Sequence, residues 1–423
     1  MALRALVAVQ LAALLVVAVA TVARFPVWAL VDEAAHFDYV QWIADDGRLP
    51  VLDEDPVHPE VLAIDEGVYP DPPRVPAEER GLFGRSYEGF QPPLAHLVAT
   101  PVYAAAGDHE RKLRALRALG VLLLAVAVWL TWLLARRAVP EASLAAFSVA
   151  LTFFLWPGVV VRAGTFSNAA LEIALGAALS LALWRALSER SERWLVAAGA
   201  LTGAALLTKL TMLAFVPALA VVAFTFLREG RRLAVAAAGV LPAAILAPWV
   251  IFNFAEYGAP TGSEEVQALM EPTLNPERVD YGFGDLPGKH VALLNGVLPD
   301  EWWVEFLSTA KRRLRDVLVG LVMAVPLLAA VRIPSTERRR ALAVLVLPLA
   351  VGILLMSVSL LVENWDAFYP RYLYGALPGF AVFVALAVVR ALGERALLWS
   401  SAALTVLLLA LWAHLSSVTP ATV

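Results

Sequence analysis

Eleven apolar runs, most of them near 20 residues long, alternate along this chain with short breaks in which arginine is concentrated. That pattern leaves few folds open. A helix needs about 20 apolar residues to cross the hydrocarbon core of a bilayer. Within that core every backbone N–H and C=O must be bonded inside the protein, which restricts spanning structures to helices and closed barrels. A barrel would read instead as short segments of alternating polarity. The runs fall at 6–23, 113–135, 142–161, 169–187, 194–207, 211–227, 233–252, 317–331, 341–362, 372–389 and 396–414. Hydrophobic residues make up 60% of the chain and charged ones 17%, against about 25% charged in an average soluble domain; the mean hydropathy is +0.71. The expected fold is an all-α polytopic membrane protein, one integral membrane domain over 1–423, with the first run kept as an uncleaved helix. Without cysteine, disulfides, thiolate metal sites and thiol nucleophiles drop out.

The breaks predict the topology. Arg136 and Arg137, Arg185, Arg190 and Arg193, Arg228, Arg231 and Arg232, Arg332 and Arg338 to Arg340, and Arg390 and Arg395 all sit in short loops. An excess of Lys and Arg in short loops marks the cytoplasmic side. Eleven crossings put every one of these clusters there and leave two long segments, 24–112 and 254–316, on the exoplasmic side. The first is acidic: 32–110 holds 17 Asp and Glu against 4 Arg. Its apolar part, 92–106 (PPLAHLVATPVYAAA), spans about 15 residues and carries Pro101, which suits a helix lying in the interface. Counting it as a crossing would move Arg136 and Arg137 outside. Lys311, Arg312, Arg313 and Arg315 depart from the pattern, but they end a long segment, where loop charge has little weight. They read either as an interfacial anchor or as an anion site for a lipid phosphate.

The most unusual stretch is 28–50, WALVDEAAHFDYVQWIADDGRLP. It places Asp32 and Glu33 at the mouth of the first membrane helix, where carboxylates are costly. In a helix Asp32 and His36 share a face. The pair reads either as a catalytic base at a membrane surface or as a solvated helix end. On the predicted topology other candidates fall on the same side: Gln91 before Pro92 and Pro93, Arg162 and Asn168 after the third span, Lys209 in TKLT, Tyr257 after the seventh span, and Arg371 and Tyr372 in YPRYLY. Acids, an amide, aromatics and isolated cations converging there suit a polar site flanked by lipid. Asp32, Glu33 and His36 lack the spacing of a zinc site. Phosphate-cradling glycine loops and a GxSxG elbow are missing from the sequence. An acidic external segment excludes nucleic acid as a partner.

At these residues the chain resembles the GT-C superfamily of membrane glycosyltransferases, and within it the family-39-type enzymes related to protein O-mannosyltransferases and the aminoarabinose transferase. The matching blocks are VDEAAHFDYVQWIADDGRLPV, SYEGFQPPLAHLVATP, VRAGTFSNAAL, GALTGAALLTKLTML, PWVIFNFAEYGAPTG and PRYLYGALPGFA. The resemblance implies a GT-C-like bundle of about 11 transmembrane helices with interfacial helices after the first. It implies a plasma-membrane enzyme that moves a sugar from a polyprenyl phosphate to an exoplasmic acceptor (glycan, lipid or protein hydroxyl) with inversion. Asp32, with Glu33 beside it, matches the acid that activates the acceptor. The resemblance further implies cations that hold the lipid phosphate, a role open to Lys209, Arg371 or the 311–315 cluster with Arg312 and Arg313, and the expected substrate contacts are His36, Gln91, Arg162, Asn168, Tyr257 and Tyr372. No cofactor is expected, although a divalent metal at Asp32 and Glu33 stays open. Many relatives carry an Asp where this chain has Asn168, and an amide takes no proton and binds metal weakly. The alternatives are a lipid-linked-sugar flippase, with its polar groups near mid-membrane, and a non-catalytic relative that binds lipid.

Overall fold

A computed structural model of the chain describes residues 2–25, 27–28, 32–52, 54–63, 84–262, 328–362 and 369–418, with 282, 284, 286 and 289 as isolated positions. Eight helices among them are long and apolar enough to cross a membrane, and a bent pair makes a ninth. Among the described residues there is no strand; the one β pairing is an isolated bridge between Pro56 and Arg85. The chain is a multi-pass, all-helical membrane protein, as the apolar runs require.

In order, α1 is Ala2–Arg24, α2 Glu33–Asp45, α3 Pro59–Ala63, α4 Leu94–Ala105, α5 His109–Ala138, α6 Ser143–Phe154, α7 Pro157–Gly164, α8 Ala169–Glu189, α9 Glu192–Leu206, α10 Val216–Arg228 and α11 Arg232–Tyr257. Beyond these lie Ser335–Ala341, Leu347–Val362, Leu377–Leu392 and Glu394–Val418. The expected straight span at 142–161 is instead α6 and α7 meeting at 69°. Pro157 causes the break: it has no N–H to give to the preceding turn, and its ring clashes with the carbonyl four residues back. Two further spans open as 3-10 helices, Leu210–Phe215 before α10 and Pro370–Ala376 before Leu377–Leu392. Residues 342–346 form a π-helical turn. The expected span at 317–331 lies outside the described residues up to 327. At 15 residues α9 is short for a crossing, and α4, at 12, is shorter still.

Burial separates the bundle into centre and rim. The most apolar windows of α8 and of 371–392 are 78% buried, those of α1 and α11 only 28% and 11%. One polar cluster inside the bundle faces inward and is paired, because hydrocarbon offers such groups nothing. Gln10 of α1 donates to Ser148 O (2.9 Å) and to Thr405 Oγ1 (2.9 Å), and Ser148 Oγ donates to Gln10 Oε1 (2.9 Å). This ties α1, α6 and the last helix together. A second, smaller core holds α2 and α4 onto the start of α5. Phe37 sits edge-on to Trp28 and Tyr103, 5.3 Å from each ring, among Leu113, Leu116 and Phe166. Asp108 caps α5 by accepting from Arg111 N at 2.9 Å, which satisfies one of the four free N–H groups at a helix start.

Candidate active site

Asp32 occupies the N-cap position of α2, where an aspartate usually accepts a bond from the first helical turn. Its carboxylate makes no capping bond. It faces two guanidiniums instead: Oδ2 is 3.6 Å from Arg162 Nη1 and 3.6 Å from Arg371 Nη1, and Tyr87 OH donates to Oδ1 at 3.2 Å. Arg162 comes from α7, Arg371 from the 3-10 turn Pro370–Ala376, and Tyr87 from the 3-10 turn Tyr87–Phe90.

Glu33 points the other way and is fully engaged. Its Oε1 accepts from Arg117 Nε (2.7 Å) and Phe166 N (2.8 Å), and Oε2 accepts from Arg117 Nη2 (2.6 Å). Arg117 Nη1 also donates to Phe25 O (2.9 Å). One ion pair thus joins α2, α5, the end of α1 and the turn after α7. The acid pair divides its labour: Asp32 keeps 20% of its side chain exposed and Glu33 none. One turn beyond Arg117, a Cβ at Gly120 would run into Ala163 O. The glycine lets α7 press its backbone on α5, which sets Arg162 beside Asp32.

A second buried ion pair lies next to the first. Lys209 Nζ donates to Glu172 Oε2 at 2.9 Å, while Glu172 Oε1 accepts from Gly375 N (3.3 Å) and lies 3.5 Å from Thr211 Oγ1. A Cβ at Gly176 would collide with Gly375 O, so a glycine is needed for the PRYLYG turn to dock on α8. That docking aims Arg371. The Tyr372 ring stands between the cations, 5.5 Å from the Arg371 guanidinium and 5.2 Å from the Lys209 ammonium. Tyr369 lies 4.7 Å from Arg371 on the other side. Cation–π contacts of this kind hold a guanidinium without neutralising it.

On the far side of Asp32 is a buried imidazole pair. His36 Nδ1 is 3.0 Å from His96 Nε2, and Tyr39 stacks on His96 at 4.0 Å. Glu88 Oε2 lies 3.8 Å from His36 Nδ1. Burial pulls the His36 imidazole down to about 4 against the pull of Asp32, aided by Lys209, Arg162 and Arg371, so it is neutral near pH 7. Burial pushes the Asp32 carboxyl up, but Arg371, Arg162, His36 and the Tyr87 hydroxyl outweigh it and hold the group below the usual carboxylate range. Asp32 is therefore ionised.

Asp32, His36, Arg162, Lys209, Arg371 and Tyr372 come together. Others support them from a distance. The Gln91 carbonyl accepts from Tyr39 OH (3.1 Å) at the entry to α4, and Leu94 N then donates to Leu207 O (2.9 Å), beside the lysine turn. Asn168 is buried at the N-cap of α8 with its amide uninvolved in capping. Tyr257 OH accepts from Leu52 N at 3.0 Å. Arg312 and Arg313, with Lys311 and Arg315, lie outside the described residues. Among the described residues no three His, Asp or Glu side chains are grouped to hold a metal ion.

Tyr87, Glu88, His96 and Arg117 were not singled out as site residues from sequence. Arg117 carried a readable signal: Leu113, Leu116, Arg117 and Gly120 fall on one buried stripe of α5, and an arginine on such a stripe needs a buried anion. Residues 91–252 match the family model of dolichyl-phosphate-mannose-protein mannosyltransferase. No curated protein matches the chain. A solved structure, ArnT from Cupriavidus metallidurans bound to undecaprenyl phosphate, is similar at 16% identity, over 92% of this chain and 78% of that one, with a TM-score of 0.42. The family model covers less than half of the chain, and its span includes three of the blocks, VRAGTFSNAAL, GALTGAALLTKLTML and most of SYEGFQPPLAHLVATP, that carry the resemblance seen in the sequence.

Proposed function

We propose that this chain transfers a sugar from a polyprenyl phosphate to a hydroxyl acceptor on the exoplasmic face of the plasma membrane, with inversion and with Asp32 as general base. One observation carries the reading: an ionised, partly exposed carboxylate stands 3.6 Å from each of two arginines, near enough to feel their charge and beyond hydrogen-bond length. A carboxylate in reach of an acceptor hydroxyl contributes roughly 10²–10⁴ in rate as a base. In the reaction Asp32 takes the hydroxyl proton while the hydroxyl oxygen bonds to the anomeric carbon. The bond from that carbon to the phosphate oxygen breaks, and its electron pair stays on the lipid phosphate, which becomes a monoester. Arg371 and Arg162 hold that phosphate as its charge grows. A single acting carboxylate is enough for direct displacement, whereas retaining hydrolysis needs two.

The two arginines make Asp32 a weak base at rest. A donor phosphate that draws the guanidiniums toward itself frees the carboxylate to accept a proton, so donor binding readies the base. Lys209, already bonded to Glu172, serves this reading as a support for Tyr372 and the arginine turn. Purified protein with a labelled polyprenyl-phosphate sugar tests it. Asp32→Asn is expected to keep its fold and donor binding and to lose transfer by at least about 10²; undiminished turnover removes Asp32 from the mechanism.

A further inference from the structure

Three glutamates are buried around the site, and two are fully used. Glu33 gives both oxygens to Arg117 and Phe166 N, and Glu172 gives its own to Lys209, Gly375 N and Thr211. Glu88 is different. It sits on the 3-10 turn Tyr87–Phe90, its side chain 7% exposed, and its Oε2 has no hydrogen-bond partner. A buried polar atom left without a partner is costly and calls for an explanation. Its neighbour Tyr87 reaches Asp32 from the same short turn, and the Glu88 carboxyl lies 3.8 Å from His36 and within electrostatic reach of Asp32, so the orphaned oxygen lies beside the Asp32 site.

We infer that Glu88 is a further substrate-contacting residue of this site, an un-ionised carboxylic acid whose Oε2 donates a hydrogen bond to a hydroxyl of the donor sugar held beside Asp32. The inference rests on the transferase reading above. The groups facing Glu88 come from several elements. His36 and Asp32 come from α2 and the residue before it, Arg162 from α7, Lys209 from the turn after α9, and Arg371 from the turn at 370–376. Tyr39 is also within electrostatic reach. Burial first, and then the charge of Asp32, push the Glu88 carboxyl up to about 8, against the pull of Arg371, Lys209 and Arg162. Near pH 7 it keeps its proton, so it donates where Glu33 and Glu172 only accept. A neutral acid here adds no negative charge that would compete with a phosphate for the cations.

The test uses the full-length protein in lipid nanodiscs, with undecaprenyl phosphate carrying a hexose or a pentose, and undecaprenyl phosphate alone. Infrared difference spectra of the protein and of Glu88→Gln isolate the protonated carboxyl band. The expected result is a band present at pH 7, absent from the variant and lost as pH rises through about 8. It should shift on binding the lipid-linked sugar but not the bare lipid phosphate. In transfer assays Glu88→Gln, which keeps a donor, is expected to retain activity within about threefold and to lose the alkaline fall in rate. Glu88→Ala should lose roughly tenfold, the worth of one hydrogen bond. That loss is expected in KM for the lipid-linked donor. A missing band, a band unmoved by a bound lipid-linked sugar, a shift with the bare phosphate, or inactive Glu88→Gln with an intact fold each overturns the inference. A shifted band with no transfer by the unaltered protein overturns the transferase reading alone.

Discussion

The Glu33–Arg117 pair makes the sharpest energetic prediction. Both side chains are essentially excluded from solvent, with 0% and 3% exposed, and three of the contacts are 2.6–2.8 Å long. Removing one partner from such a pair costs about 3–5 kcal/mol, because the other charge stays buried without its counterion. Removing both charges in a way that preserves volume costs much less. Arg117→Met leaves Glu33 with Phe166 N alone, while Glu33→Gln removes the carboxylate charge that the buried Arg117 guanidinium faces. Each is expected to cost about 3–5 kcal/mol. The double variant removes both charges and keeps an amide oxygen for Phe166 N, so it should fall short of the sum by at least about 2 kcal/mol. Its residual cost reflects the lost bond to Phe25 O. Reversible unfolding of purified protein in mixed micelles, followed by circular dichroism, reads all four corners of the cycle. Additive costs, within about 0.5 kcal/mol, would show that the pair does not act as a unit and refute the reasoning. Transfer should fall with stability in the single variants, since the helix start that presents Asp32 hangs on this bond.

Arg371→Ala, which on the proposed mechanism removes one of two cations from the departing phosphate, is expected to lower kcat by about 10²–10³, and Arg371→Lys to recover only part of it, because an ammonium lacks the planar fork that packs against Tyr369 and Tyr372. Single-turnover transfer at saturating donor checks this, and an unchanged rate would assign the phosphate to other groups. His58 gives a pH test. Burial pulls its imidazole down, but the bonds to Asp38 (2.8 Å) and Asp46 (3.3 Å) win and raise it above 6.5. The stabilisation is therefore complete below about pH 6.5 and lost as pH rises through the higher folded value. Protection of residues 57–63 from limited proteolysis should weaken over that window in the unaltered protein and be pH-independent in His58→Gln; a pH dependence that survives the substitution would place the switch elsewhere.

The membrane bundle was legible because hydrophobic length is a local property: α1, α5, α8 and α11 are each written in one uninterrupted run. Bends were harder. Pro157 sits inside a run that reads as one span at 142–161, and proline in membrane helices is common enough that its presence does not dictate a 69° turn. Within the site, the residues found from sequence were those that stand out against an apolar background, such as Asp32, Lys209, Arg162 and Arg371. The division of roles between Asp32 and Glu33 was not legible, since it depends on Arg117, 84 positions from Glu33. Nor was the capture of Lys209 by Glu172, 37 positions away. Glu88 lay inside the matching block SYEGFQPPLAHLVATP, in a segment so rich in acids that one more drew no notice. Its distinction is an oxygen with no partner, which only side-chain geometry reveals.

Charge around the cleft is arranged so that the proposed reaction moves it a short way without changing its total. Arg162, Arg371 and Lys209 stand against Asp32 and Glu172, with His36 and Glu88 neutral, and this leaves one positive charge for an incoming phosphodiester to balance. Transfer neutralises Asp32 and adds a charge to the lipid phosphate, so the sum after the reaction equals the sum before it. The two arginines touch both ends of that movement. At 3.6 Å they lie just beyond hydrogen-bond reach of Asp32: close enough to keep it ionised, loose enough to turn toward a phosphate at small cost. A tighter pairing, such as Arg117 makes with Glu33, would have disabled the base. That contrast, two arginine–carboxylate contacts of opposite tightness on neighbouring residues, separates the acid that holds the fold from the acid that is free to act.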